Sequence, residues 1–280
     1  MKILCISDFH GKFPNKLYSF AKEEKPDLVL VAGDLSESDT FRKLQFENWD
    51  RLKKEMTIED LIGKRKYKKI LRSSAESVIN IFKRLEKLNA PVIVIIGNAD
   101  HVSESLRAYN LQKSGIDYLA QTFENIILVD RSFIEIDNLA IVAHGGYRGV
   151  KSRKSHKEDG SLKYAAHRKQ YEKELESLFK NMKDRAQTIF LTHDVPFNTD
   201  MDLVNLKSSP MNRKHVGDDI YRASIEKYRP AINICGHMHE NQGKEMLKDT
   251  IVANCGYGHD GECCIVKMKD RKTAVKFYKL

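Results

Sequence analysis

No run of apolar residues in this chain is long enough to cross a bilayer; the longest hydrophobic stretches are the size of one β-strand. The first apolar run is also too short to read as a secretory signal. A single lysine precedes Ile3-Leu4-Cys5-Ile6-Ser7-Asp8, and no small-residue cleavage site follows. The expectation is a cytoplasmic protein. Cysteine is scarce and odd in number: Cys5, Cys235, Cys255, Cys263 and Cys264 include no pair with zinc-finger or redox spacing. Cys5 and Cys235 lie in strand-like runs, where a thiol acts as a small hydrophobe, so buried thiols are expected rather than disulfides. Tryptophan occurs once, at Trp49, and the tyrosines are scattered, which leaves no interleaved aromatic platform for stacking bases. Internal repeats and low-complexity tracts are absent as well.

What is present describes a globular protein: 280 residues, 41% hydrophobic and 31% charged, enough for one substantial core. Charge is unevenly placed. Lys and Arg outnumber Asp and Glu by 14 to 7 from Phe41 to Leu88 and by 9 to 3 from Tyr147 to Lys173, so a total of +9 leaves −4 for the remainder. Two basic segments set against a mildly acidic body suit either a solvated helix surface or a field that draws in phosphate-bearing substrates.

Short Val/Ile/Leu runs ending in polar turns dominate the chain. Ile3–Ile6, Leu28–Ala32, Val92–Ile96, Leu139–Ala143, Ile189–Leu191 and Ala231–Cys235 read as strands buried on both faces. Between them lie helical stripes, one through Val78, Ile81, Phe82, Leu85 and Leu88, another through Tyr164, Tyr171, Leu175, Leu178 and Met182. This alternation predicts an α/β architecture with parallel strands. In the tail, Glu245–Asn254 and Glu262–Tyr278 are strand-like and flank the glycine-rich Gly256–Gly261, which suits a second sheet or a closing hairpin. Ser36–Ser77 reads as a basic insertion, helical in pieces, suited to dimerisation or to capping a cleft. Tyr147–Lys163 reads as a polar loop.

Five polar clusters each follow a predicted strand: Asp8-Phe9-His10, Gly33-Asp34, Gly97-Asn98, His193 and Gly236-His237-Met238-His239. Residues two apart on extended chain share a side, so Asp8 and His10 can face one cation. The Asp34 carboxylate has two oxygens and can bridge two ions. Two histidines flanking one apolar residue, as in His237-Met238-His239, suit imidazoles aimed at adjacent ions. In α/β sheets ligands bind at the carboxyl ends of strands. Two dications bring +4 against −2 from the two carboxylates, and the residual charge can hold a hydroxide and a phosphate group. The donors reach from residue 8 to residue 239, so a single domain, 1–280, is expected. Mixed His, Asp and Asn donors suit Mn²⁺ first, with Fe, Zn²⁺, Ni²⁺ or Co²⁺ as alternatives.

In this order the clusters resemble the calcineurin-like metallophosphoesterase superfamily, whose pattern runs Asp-x-His, Gly-Asp, Gly-Asn-His-Asp/Glu, His, Gly-His-x-His along nearly the whole chain. The resemblance implies two mixed sheets packed face to face with helices outside. It implies one metal held by Asp8, His10, Asp34 and His239, and a second by Asp34, Asn98, His193 and His237. It further implies hydrolysis of a phosphomonoester or phosphodiester by in-line attack of a metal-bridging hydroxide, with Asn98 helping to position the phosphate. The chain departs from the pattern at Gly97-Asn98-Ala99-Asp100, where alanine replaces the histidine that aids the leaving oxygen. Asp100 matches the acidic position that orients that histidine in the family. His101, His144 and His215 are the candidates to take over the acid role. Rival readings are a nuclease that tracks a phosphate backbone with the two basic segments, and a non-catalytic scaffold.

Overall fold

Strict alternation of side chains along each apolar strand sets the layering. In β1 (Lys2–Ile6), Ile3 and Cys5 face one core while Leu4 and Ile6 face another. The computed structural model describes residues 1–52, 56–100, 122–129, 131–146, 162–207 and 211–280. Parallel to β1 run β2 (Leu28–Val31), β3 (Val92–Val94) and β4 (Ile126–Leu128). The second sheet contains β5 (Ser132–Ile136), β6 (Leu139–His144), β7 (Thr188–Thr192), β8 (Ile232–Cys235), β9 (Gly243–Leu247) and β10 (Thr250–Asn254). Its order is β5-β6-β7-β8-β10-β9, with β6, β7, β8 and β10 parallel and the two edge strands antiparallel to their neighbours. The hairpin β11 (Glu262–Lys269) and β12 (Lys272–Lys279) returns to the first sheet and flanks β1, giving β12-β11-β1-β2-β3-β4.

The tail is therefore shared. One half closes the second sheet and the other half is a hairpin on the first, so both forms suggested by its sequence occur. All six apolar runs form strands. The sheets are mixed rather than wholly parallel, because edge strands joined by short turns must run antiparallel.

Helices complete four layers. α1 (Asn15–Glu24) packs Leu17 and Ala21 on the outer face of the first sheet. Next come α2 (Asp39–Glu47), α3 (Trp49–Leu52), α4 (Ile58–Ile62) and the long α5 (Lys64–Glu86). α5 buries Leu71, Ala75, Val78, Phe82 and Leu85, steps of four and three residues along one stripe, of which Val78, Phe82 and Leu85 pack into the outer core of the first sheet. Among its described residues the segment 36–77 thus comprises three short helices plus the first half of a helix that belongs to the outer layer. On the other side, α6 (Leu162–Phe179) and α7 (Asp219–Tyr228) cover the second sheet through Leu175, Phe179, Ile220, Tyr221 and Ile225. The expected polar loop at 147–163 falls outside the described residues except for its last two, which begin α6. The five thiols are free and buried. Among the described residues no helix is long and apolar enough to cross a membrane.

Phe82 is fully buried and meets Phe123 edge to face at 5.6 Å. Phe82→Ala is expected to lower unfolding stability by about 3–5 kcal/mol through lost burial and a residual cavity, read as a shift of the urea midpoint. A shift under about 1 kcal/mol would show that α5 does not anchor the outer layer as described.

Candidate metal centre

β1, β2 and β3 of one sheet and β7 and β8 of the other point their carboxyl ends to one place. There the chain must turn at once from buried strand to ligand-bearing loop. Asp8, His10, Asp34 and His237 all take left-handed backbone, with φ of 55°, 40°, 53° and 69°. Such a conformation costs a non-glycine residue on the order of 1–3 kcal/mol, and a protein keeps it where the surroundings overdetermine it. Here the surroundings are backbone bonds between the loops: Asp8 N–H to Gly33 O, His10 N–H to Asp34 O, Gly236 N–H to His193 O and His259 N–H to Asp8 O. Gly33 and Gly97 have a steric reason to be glycine. A Cβ on Gly33 would lie 2.6 Å from Gly97 N and 2.9 Å from His193 Nδ1, and one on Gly97 would run into the Asp34 carboxylate.

The donors form two groups that share Asp34. In the first, one ligand atom from each of Asp8, His10, Asp34 and His239 lies within 4.8 Å of all the others. His239 Nε2 sits 3.1 Å from Asp8 Oδ1 and 3.1 Å from His10 Nε2. In the second, the Asn98 side-chain oxygen lies 2.9 Å from His193 Nε2 and 2.8 Å from His237 Nδ1. Asp34 stands between, with Oδ2 3.5 Å from His10 Nε2 and Oδ1 3.4 Å from His193 Nε2. The sequence-predicted ligands Asp8, His10, Asp34, Asn98, His193, His237 and His239 are thus brought together.

This arrangement suits cations better than hydrogen bonds. The Ala32 carbonyl, 2.7 Å from His193 Nδ1, can only accept, so Nδ1 carries the proton. In a neutral ring the Nε2 lone pair then points at the oxygens of Asn98 and Asp34, acceptor against acceptor. A proton or a metal ion must lie between them. A histidine that donates its far nitrogen to a carbonyl is the usual support of a metal ligand. His10 has a matching support, with Nδ1 2.8 Å from Ser38 Oγ.

The electrostatics agree. Burial pushes Asp34 up to about 7, reinforced by the nearby charges of Asp8 and Asp100. Burial lowers His10 to about 4. His193 is disfavoured as a cation by burial, yet Asp34, Asp8 and the Ala32 carbonyl together raise it. Asp8 is buried, but the His239 hydrogen bond and the facing histidines hold it well below the usual carboxylate range. Asp34, a buried carboxylate without enough neutralising charge around it, is what a bound cation would satisfy.

The remaining predicted residues have other surroundings. Asp100 is buried; Oδ1 accepts from the Leu35 and Ser36 N–H groups and Oδ2 from Gly97 N–H. It ties the loop carrying Asp34 to the loop carrying Asn98. His144 closes β6 but turns to the outer face of the sheet, where Nδ1 meets Tyr221 Oη at 2.8 Å and the ring packs on Tyr171 and Tyr221. His215 lies 2.6 Å from Asp202 Oδ1. Neither histidine lines the cleft over the ligand groups. His101 lies outside the described residues. Sequence reasoning passed over Ser38 and Tyr257, whose ring stacks on His239 at 4.2 Å and 13°. The only sequence signal for Tyr257 is its place in the glycine-rich turn.

Two outcomes follow. Asp100→Ala leaves three N–H groups without their acceptor and is expected to cost at least about 2 kcal/mol of stability. It should also weaken metal binding roughly 10- to 100-fold, measured by calorimetric titration. In chelator, the raised Asp34 stabilises the fold while protonated. Its contribution is complete below about pH 4 and is lost as pH rises through about 7. The melting midpoint of the wild-type protein, relative to Asp34→Asn, should therefore fall across that window, and saturating Mn²⁺ should reverse the fall.

The whole-chain comparisons agree with this geometry. Residues 1–278 match the family described as "Metallophosphoesterase, calcineurin superfamily". The protein MJ1162 of Methanocaldococcus jannaschii is 25% identical over 261 residues, covering 91% of this chain and 87% of its own. The structure of TT1561 of Thermus thermophilus superposes with a TM-score of 0.58 at 17% identity, over 98% of this chain and 97% of that one. Purple acid phosphatase PPD1 from yellow lupin (Lupinus luteus) seeds shares the fold at TM-score 0.51 and 14% identity, all of this chain matching 51% of that one. With its strand-end donors in one place and its full length matched, the chain belongs to the calcineurin superfamily of metallophosphoesterases and is a metal-dependent phosphoester hydrolase.

Proposed function

We propose that the centre is dinuclear and that the enzyme acts on phosphoesters with good leaving groups, diesters and activated esters before simple alkyl monoesters. The observation that carries the first part is the division of Asp34, whose Oδ2 faces His10 while Oδ1 faces His193. In this reading Asp8, His10, Asp34 and His239 hold one ion, and Asp34, Asn98, His193 and His237 hold the other. Two bound divalent cations would supply the Lewis acidity that activates a water for in-line attack on phosphorus and offsets charge on the phosphoryl oxygens. The donor set favours manganese, with iron or zinc as alternatives.

The protein's own residues set the rest. Asn98 brings a neutral amide to the cleft floor, where its N–H₂ group is suited to a phosphoryl oxygen. The Ala99 N–H donates to Asp34 Oδ1 at 2.7 Å and holds that carboxylate in place. The Ala99 side chain lines the cleft but has no proton to give. Proton transfer to a leaving group is worth typically 10²–10⁴-fold, so its loss weighs most on esters of poor leaving groups. Lys64, Arg65, Lys66, Lys69 and Arg72 are exposed on α5, the helix whose other face lines the cleft, and add a positive field that favours the approach of anionic esters.

Metal analysis followed by a substrate panel tests this reading. With Mn²⁺ added, nitrophenyl phosphate and its bis-ester should be hydrolysed in clear preference to glycerol phosphate. Ala99→His should raise the rate on glycerol phosphate about tenfold or more while changing the bis-ester rate far less. A wild-type preference for glycerol phosphate would reject the leaving-group argument.

A further inference from the structure

A cleft of about 560 Å³ opens over the ligand groups, far more room than a phosphate needs. Its floor is the centre itself, through His10, Asp34, Asn98, His237 and His239. Its opposite wall comes from the basic 36–77 segment. From α2 it takes Phe41, Arg42 and Gln45; from α5 it takes Tyr67, Ile70, Leu71 and Ser74. The α5 positions fall at i, i+3, i+4 and i+7, one face of the helix. The rings of Phe41 and Tyr67 lie 6.2 Å apart at 45° and, with Ile70 and Leu71, form an apolar patch on a wall that also carries Glu37, Ser38, Arg42, Gln45 and Ser74. Neither ring belongs to the hydrophobic cores under the helices.

We propose that this wall is the subsite for the organic group of the ester, and that the group it takes is a flat aromatic ring, as in nucleoside and aryl phosphates. The inference rests on the dinuclear reading and adds the substrate class to it. The apolar patch of Phe41, Tyr67, Ile70 and Leu71 gives a glycerol ester little to bury against, whereas a ring can cover it. A pair of aromatic rings favours a stacked ring over a flexible alkyl chain, since ring stacking adds to area burial. The Gln45 amide, which both donates and accepts, lines the same cleft and can read the polar edge of a heterocycle.

Calorimetric titration of the full Mn²⁺-loaded protein with phosphonates, which are not hydrolysed, separates the two ends of the site. Methylphosphonate reports the floor, and phenylphosphonate and hexylphosphonate report the wall. Phenylphosphonate should bind the wild type roughly 10- to 100-fold more tightly than methylphosphonate, and Phe41→Ala and Tyr67→Ala should each erase most of that gain while leaving methylphosphonate unchanged. The phosphonate analogue of adenosine 5′-monophosphate, also not hydrolysed, binding more tightly than phenylphosphonate marks a nucleoside ester as the occupant, and the reverse order marks an aryl ester. Hexylphosphonate binding as tightly as phenylphosphonate would overturn the proposal. So would a phenyl advantage that survives both substitutions, or a loss of methylphosphonate affinity in both variants. If methylphosphonate fails to bind the wild type at all, the dinuclear reading itself fails.

Discussion

The Asp34 carboxylate is placed where two sets of imidazoles approach from opposite sides, and the surrounding structure serves to hold it there. It is buried and set close to Asp8, and burial pushes it well above the ordinary carboxylate range. Left to itself it would repel Asp8 and prefer to keep a proton. What holds it is a set of contacts from distant parts of the chain: the Ala99 N–H on Oδ1, the approach of Gly33 to Gly97, and the Asp100 carboxylate that binds both loops. The fold's stability is spent locally on unfavourable charge, which bound cations would turn into attraction.

The two-sheet architecture makes this possible. One sheet alone would align strand ends in a row and could offer donors from one side only. Here β1, β2 and β3 supply Asp8, His10, Asp34 and Asn98, while β7 and β8 supply His193, His237 and His239 from the facing sheet. The shared core of Ile3, Cys5, Leu30, Ile141, Leu191 and Ile234 sets the separation of the sheets, and so the reach of the donors. Bonds that cross the seam fix the register, including His193 Nδ1 to Ala32 O and His237 N–H to Asp8 Oδ2. Activity then depends on packing far from any ligand, because a sheet displaced by half an ångström changes every donor distance at once.

Much of this was legible in the residues, for a local reason. Strand faces follow a period of two, so Leu4 and Ile6 against Ile3 and Cys5 already describe a sheet buried on both sides. Ligand clusters sit one to four residues past each strand, where direction is set by short loops. His144 shows where such reading slips. It closes a strand beside His193, yet it is in register with Thr192, one residue earlier. A one-residue offset reverses the face, and its neighbour Val142 already lies in the outer core. The roles of Asp100 and Ser38 depend on partners 64 and 28 residues away, and no local pattern carries them. The same holds for the cleft wall: a stripe on α5 shows that it is amphipathic, but not that its first turns overhang the centre.

The proposed centre requires two ions that share Asp34. Electron paramagnetic resonance of the Mn²⁺-loaded protein tests this directly, since two manganese ions bridged by one carboxylate are spin-coupled. The prediction is a coupled dimanganese spectrum at two equivalents of metal, replaced in Asp34→Ala by isolated-ion lines or by free Mn²⁺. A wild-type spectrum of isolated six-line Mn²⁺ at every stoichiometry would contradict it.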